Sequence, residues 1–280
     1  MNTETKGLNR RRILIALATL VAASSIMVGA ASAVTPAEIK AKGKLVVGIQ
    51  AANPPWGYVD SATGQADGID ADIAKAYGKE LGVPVEFVGL EVANRIPALT
   101  SGRVDVLFAT MAMLPDRAKA VQYSKPYIGN FIYLVAAKST PIKTNEDMGK
   151  YSIGVPRSSQ QDTDVTKNAP AGPNILRFDN DATTIQAMLS GQVQAIGGNM
   201  FYVKRLNDTK PDTYENKLQF TQLYNGACSR LGEKELNASL NAFVDKIKAN
   251  GELAKIQQKW TGSSMTNFPD KVEGVPFVAN

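Results

Sequence analysis

Catalytic and metal chemistry are narrowly limited in this chain, because it has no histidine and a single cysteine, Cys228. That composition excludes an internal disulfide, a Cys/His zinc site and any histidine-based triad. Charge recognition is open to it. The guanidinium of Arg117 has the fork geometry that grips a carboxylate with two parallel hydrogen bonds, although an ion pair with Asp116 is the plainer alternative. Ser159 and Asp162 have capping-box spacing, and a helix start also offers free N–H groups to an anion. Thr110 and Asn199 stand at matched places in an internal echo: Ile96, Ala98, Ser101, Gly102 and Val104 are repeated in type by Ile185, Ala187, Ser190, Gly191 and Val193 at a constant offset. Two helix-turn-strand units would thus present polar side chains from the carboxyl ends of equivalent strands, where open α/β sheets bind ligands.

The elements that must position these residues alternate. Leu45–Ile49 reads as a buried strand, and Ile69, Ile73, Tyr77 and Leu81 mark one helix face. A strand at Val85–Val88, a helix around Ile96–Leu99 stopped by Gly102, and a strand at Val104–Phe108 continue the series. A second series runs through Tyr151–Val155, Ile175–Phe178, a helix over Ala182–Leu189 and a strand at Val193–Ile196. Strand then helix implies parallel sheets. From Leu231 to Trp260 a long helical pattern is expected to pack back on the first series, so the chain crosses twice between lobes.

At the amino end, Lys6 and Arg10–Arg12 precede an uncharged stretch from Ile13 to Ala33 that closes on Ala31-Ser32-Ala33, the order of a signal peptide cleaved near Ala33. A membrane anchor is the alternative, and no second hydrophobic span follows. The Asn9–Leu14 run also resembles a twin-arginine signal, with ordinary Sec export the expectation. Removing the leader takes a net +3 from the formal +5, leaving about +2. With no basic patch interleaved with aromatics, nucleic acid is set aside as a partner.

Several motifs, in this order, resemble the polar amino-acid-binding family of periplasmic solute-binding proteins, family 3: Gly43–Gly48, Pro54-Pro55-Trp56-Gly57-Tyr58, Gly68-Ile69-Asp70-Ala71-Asp72, Pro115–Lys119 with Tyr123–Tyr127, and Lys259-Trp260-Thr261-Gly262. The resemblance implies an α/β two-lobe periplasmic-binding-protein fold of type II, with a leader over 1–33. Lobe 1 would be formed by 34–127 with 228–280 and lobe 2 by 132–222, with hinges at 128–131 and 223–227. It also implies a monomer that serves an ABC importer's permease and ATPase, without cofactor or metal and without catalysis. Asn94-Arg95-Ile96-Pro97 is similar to the glutamate/aspartate-binding branch, in which the arginine reaches the ligand.

By the same resemblance Arg117 takes the ligand α-carboxylate, while Thr110 and the backbone N–H of Ala112 stand beside it. The N–H groups of Ser159 and Gln160 close on the carboxylate from lobe 2, and Trp56 flanks the ligand side chain. Gln50, Asn53 and Arg95 complete the expected site. Two departures stand out. Gln50 replaces a charged residue, and Asn199 replaces the Asp that pairs with the ligand ammonium. Asp162, Asp70 and Glu91 are candidate substitutes for that charge, and Glu91 could instead neutralise Arg95 at helical i, i+4 spacing. An acidic or neutral polar amino acid is therefore expected. A carboxylate lacking an α-ammonium, or a cyclohexadienyl dehydratase-like enzyme on the same fold, are the alternatives.

Overall fold

The computed structural model describes residues 33–172 and 174–279; the leader features from Lys6 to Ser32 lie outside them. In chain order, helix α1 (Pro36–Lys42) precedes strand β1 (Leu45–Gln50), the short strands β2 (Ala52–Asn53), β3 (Gly57–Val59) and β4 (Ala66–Asp67), and helix α2 (Ile69–Leu81). Next come β5 (Val85–Leu90), α3 (Arg95–Thr100), β6 (Val106–Leu107), α4 (Pro115–Ala118) and the long β7 (Gln122–Ala137). A second run holds β8 (Ser152–Pro156), α5 (Gln160–Asn168), β9 (Asn174–Phe178), α6 (Asp181–Leu189), β10 (Ala195–Asn199) and α7 (Tyr202–Thr209). The long β11 (Tyr214–Ser229) then returns to α8 (Lys234–Ala249) and α9 (Glu252–Thr261).

Eight strands make one mixed sheet in the order β5-β1-β6-β11-β7-β10-β8-β9. On one side β1 runs parallel to β5 and β6; on the other β8 runs parallel to β9 and β10. Between them β7 and β11 pair antiparallel along almost their whole length. The apolar core divides the same way, which gives the two-lobe type II fold. Leu45, Val47, Ile69, Ile73, Tyr77, Leu236, Leu240, Phe243 and Ile247 share one cluster, while Ile153, Val155, Val165, Ile185, Val193 and Ile196 share another. Burial explains β1: Leu45 and Val47 enter the first cluster while Val46 enters a third on the opposite face, so a strand buried on both sides reads as a continuous apolar run.

The internal echo is geometric as well as compositional. Gly102 and Gly191 both take a left-handed backbone, at φ 76° and 78°, and Val104 N–H donates to Ala98 O at 3.3 Å as Val193 N–H does to Ala187 O. Only Gly takes that conformation freely, so each helix turns into its strand at the same place. Several element boundaries differ from the sequence reading. Regular pairing in β6 covers Val106–Leu107, although Asp105 and Phe108 still donate to Val46 and Gly48 of β1. The long carboxyl-terminal helical pattern is two helices, broken where Gly251 turns left-handed.

Gly198 in β10 lets the Tyr202 ring lie against the strand; a Cβ there would meet the ring and its Cβ at 2.5–2.9 Å. Tyr202 is fully buried and has no room to yield. Gly198→Ala should therefore destabilise the protein by about 1–3 kcal/mol, lowering the melting temperature by roughly 2–4 °C per kcal/mol. An unchanged midpoint in thermal unfolding would show that the ring is not confined.

Candidate functional site

The two sets of parallel strands point their carboxyl ends at one cleft. Gln50 ends β1, Asn199 ends β10, Thr110 follows β6, Ser159 follows β8 and Asp181 follows β9, so chain direction alone gathers them. Across the cleft runs a buried polar relay. Gln50 Nε2 donates to Asp181 Oδ2 at 3.1 Å, Asn53 Nδ2 to Gln50 Oε1 at 3.2 Å, and Asn199 Nδ2 to Asn53 Oδ1 at 3.2 Å. Phe201 N–H donates to Asn199 Oδ1 at 3.0 Å, so both ends of the Asn199 amide are engaged. Four side chains that would be costly to bury alone thus satisfy one another.

On the other wall, Arg117 of α4 reaches across and its Nη2 donates to the carbonyl of Ser158 at 3.1 Å. Asp116 is engaged by Lys119 and does not neutralise Arg117. Ser159 caps α5 by accepting from Asp162 N–H at 3.0 Å. The reciprocal half of the expected capping box is absent, because the Asp162 carboxylate turns to Arg177. Ser158 sits at φ 60°, a conformation few non-glycine residues adopt. The N–H groups of Gln160 and Gln161, in the first turn of α5, have no acceptor among the described residues. A guanidinium and the positive end of a helix therefore face the same space from opposite lobes.

Arg95 is almost wholly buried. Its Nε donates to Val92 O and its Nη1 to Ala109 O and Thr110 O, which leaves Nη2 without a partner among the described residues. Burial pulls its pKa down to about 10, so the side chain stays charged at neutral pH. Glu91 makes no ion pair with it; one Glu91 oxygen is buried without a partner. Behind the cleft, the Asp70 carboxylate accepts from Tyr127 Oη at 2.7 Å and from Thr110 N–H at 2.7 Å and Oγ1 at 3.2 Å, pinning Thr110 at φ 52°. Burial outweighs those bonds and pushes Asp70 up to about 6.

Nine of the ten residues picked from sequence line this cleft: Gln50, Asn53, Arg95, Thr110, Ala112, Arg117, Ser159, Gln160 and Asn199. Trp56 does not. It lies fully buried in the first lobe's core, edge-on to Phe201 at 5.3 Å, because the loop after Pro55 turns its side chain inward to the α2 face. The expected free N–H groups of Ala112 and Ser159 are also taken, since they donate to Thr110 O at 3.0 Å and to Pro156 O at 3.3 Å. None of Asp162, Asp70 and Glu91 lines the cleft. Asp181 does, as the only carboxylate among the described residues that line it, together with Gln161 and Asn130. Helix α6 starts at Asp181, one residue before the Ala182 expected from sequence, and this first position follows a strand end and faces the cleft.

Residues 45–263 match the bacterial extracellular solute-binding proteins, family 3. The chain is 28% identical over 230 residues to the ABC transporter glutamine-binding protein of Bacillus subtilis (strain 168), covering 81% of this chain and 84% of that one. It is similar to the solved solute receptor for L-cysteine of Neisseria gonorrhoeae, at 29% identity and TM-score 0.76, covering 81% and 94%. It also resembles an ancestral amino acid-binding protein described as a precursor of cyclohexadienyl dehydratase, at 30% identity and TM-score 0.74, covering 80% and 98%.

Asp70 holds its proton more tightly folded than unfolded, so its contribution to stability is full below about pH 4 and is lost as pH rises to about 6. Denaturant titrations between pH 4 and 7 should show wild type losing stability relative to Asp70→Asn, by on the order of 1–3 kcal/mol. Parallel profiles for the two proteins would show that Asp70 ionises normally.

Proposed function

The chain belongs to the family 3 bacterial extracellular solute-binding proteins, and on that premise we propose that it captures an amino acid between its lobes and presents it to the permease and ATPase of an ABC importer. The observation that carries this reading is the meeting of Arg117 with the start of α5 across the cleft. A carboxylate between them would take two hydrogen bonds from the guanidinium and others from the Gln160 and Gln161 amides. Because these donors belong to different lobes, the ligand interacts best with the closed arrangement and shifts the population toward it. Lobe 1 (34–127 with 228–280) and lobe 2 (132–222) would move about 128–131 and 223–227.

Relatives are named for glutamine, cystine, arginine and histidine, so membership alone does not choose the side chain. The unpartnered Nη2 of Arg95 favours a ligand side chain that offers an oxygen, as in glutamine or glutamate, and opposes a cationic one. Export to the periplasm by the Lys6–Ala33 leader and action as a monomer belong to the same reading. A mature protein that still carries residues 1–33 would contradict the export.

A second reading, a dehydratase on this scaffold, gains one observation. Burial raises the pKa of the cleft carboxyl group of Asp181, the direction a general acid needs. The binding reading is preferred because both Asp181 oxygens already accept hydrogen bonds, from Tyr202 Oη at 2.7 Å and from Gln50 Nε2. Steady turnover of prephenate or arogenate would reverse that preference.

Isothermal titration is expected to show binding of L-glutamine or L-glutamate well ahead of L-lysine and L-arginine. Arg117→Ala should weaken the tightest of them by about 30-fold or more, the effect of truncating one partner of a hydrogen-bonded charge pair. Binding of the cationic amino acids alone, or an Arg117→Ala protein with wild-type affinity, would defeat the assignment.

A further inference from the structure

We propose that Asp181 is the ammonium anchor of the cleft, a specificity-determining residue that replaces, from the start of α6, the carboxylate absent at the end of β10. The inference rests on the amino-acid reading above and names the group that recognises the ligand's amine.

Asn199 is unsuited to that task on two grounds. It carries no charge, and its amide is committed at both ends, to Asn53 and to Phe201 N–H. Asp181 has what Asn199 lacks. It is 1% exposed, lines the cleft, and is fixed by Tyr202 Oη on one oxygen and Gln50 Nε2 on the other. A carboxylate offers about four lone-pair sites, so two remain for a ligand N–H group. Electrostatics point the same way. With Arg95 and Arg117 in the lining, a zwitterion's ammonium would otherwise enter a cleft with positive charge alone, and Asp181 is the only negative group among the described lining residues. The wall also holds an unused acceptor, since Asn130 is 4% exposed and its Oδ1 has no partner among the described residues. An acceptor left dry and unpaired is costly unless a donor arrives.

Gln50 then has a definite role. Its Nε2 donates to Asp181 Oδ2 from the opposite lobe. An arriving ammonium would share or displace that neutral donor, so that the carboxylate faces a charged donor as well as a neutral one.

The test compares each L-amino acid with its own des-amino acid: L-glutamine with glutaramic acid, and L-glutamate with glutaric acid, titrated into wild type and Asp181→Asn. Wild type should prefer the amino acid by roughly tenfold or more. Asp181→Asn should lose most of that preference, while binding the des-amino acids within about threefold of wild type or tighter. A merely structural role for Asp181 would weaken all four probes alike and leave the preference intact, which overturns the inference even where the variant is destabilised. Wild type that binds the des-amino acids as well as the amino acids also overturns it, yet leaves the Arg117 clasp standing. Wild type that binds neither amino acid overturns both.

Discussion

Two positive ends confront each other across this cleft, the Arg117 guanidinium from lobe 1 and the free N–H groups of α5 from lobe 2, and one acceptor between them could serve both. In the structure the Ser158 carbonyl serves on one side, at 3.1 Å from Arg117 Nη2. That contact is neutral and leaves the Gln160 and Gln161 amides unused. An anion in the same space would satisfy both sources at once, and would do so in a closed cleft where the effective dielectric is low. The arrangement is thus held ready by a weak substitute for the interaction it is proposed to make. The relay from Asp181 through Gln50 and Asn53 to Asn199 provides further contact between the facing walls, and its donors are neutral amides that a charged ligand could outcompete.

Movement about the waist is compatible with how the long strands pair. β7 and β11 remain hydrogen-bonded along nearly all their length, so the lobes are joined by a ladder and not by loose loops. The pairing slips between Asn225 and Gly226 and again between Gly226 and Cys228, inside the proposed crossing. Such irregularities bend a strand and loosen its local ladder. Asn225 lies fully buried there with neither side-chain amide atom bonded among the described residues, and a Cβ at Gly226 would clash with Met113 Cε. A segment with unmet hydrogen bonds and tight contacts in one lobe arrangement has less to lose in changing to another, which is the property a hinge requires.

Much of this was legible in the residues because burial is written locally. Ile69, Ile73, Tyr77 and Leu81 face one way on a helix for the same reason that all four are buried, and the Ser-Gly turns after two helices carry their left-handed φ with them. The positions of Arg117 and Ser159 followed from their motifs. What could not be read were outcomes settled at long range. Trp56 follows two prolines, a setting that suggests an exposed loop, yet its ring is drawn into the first lobe's core and against Phe201, 145 positions away in the chain. The Ala112 N–H is consumed by a tight local turn that side-chain patterning does not announce. Asp181 was missed because its partners, Gln50 and Tyr202, lie on other elements, so nothing beside it in sequence marks it as more than a first-turn acid.

The amide at Asn199 and the carboxylate at Asp181 are best understood as one choice. Gln50 and Asn53 bridge the two positions, so a second carboxylate at 199 would sit three hydrogen bonds from the first in a buried site. Like charges so placed raise each other's pKa, and one would stay protonated or the lobes would part. The Asn53 side chain presents its oxygen to position 199, and an ionised acid there would meet an acceptor where Asn199 now donates. With the charge at the start of α6 instead, the helix dipole favours it, Tyr202 and Gln50 hold it, and the end of β10 is free to donate across the cleft. A single negative centre opposite two guanidinium groups thereby fits the charge pattern of an amino acid whose side chain is neutral or acidic, and it does so without leaving any side chain of the relay unpaired.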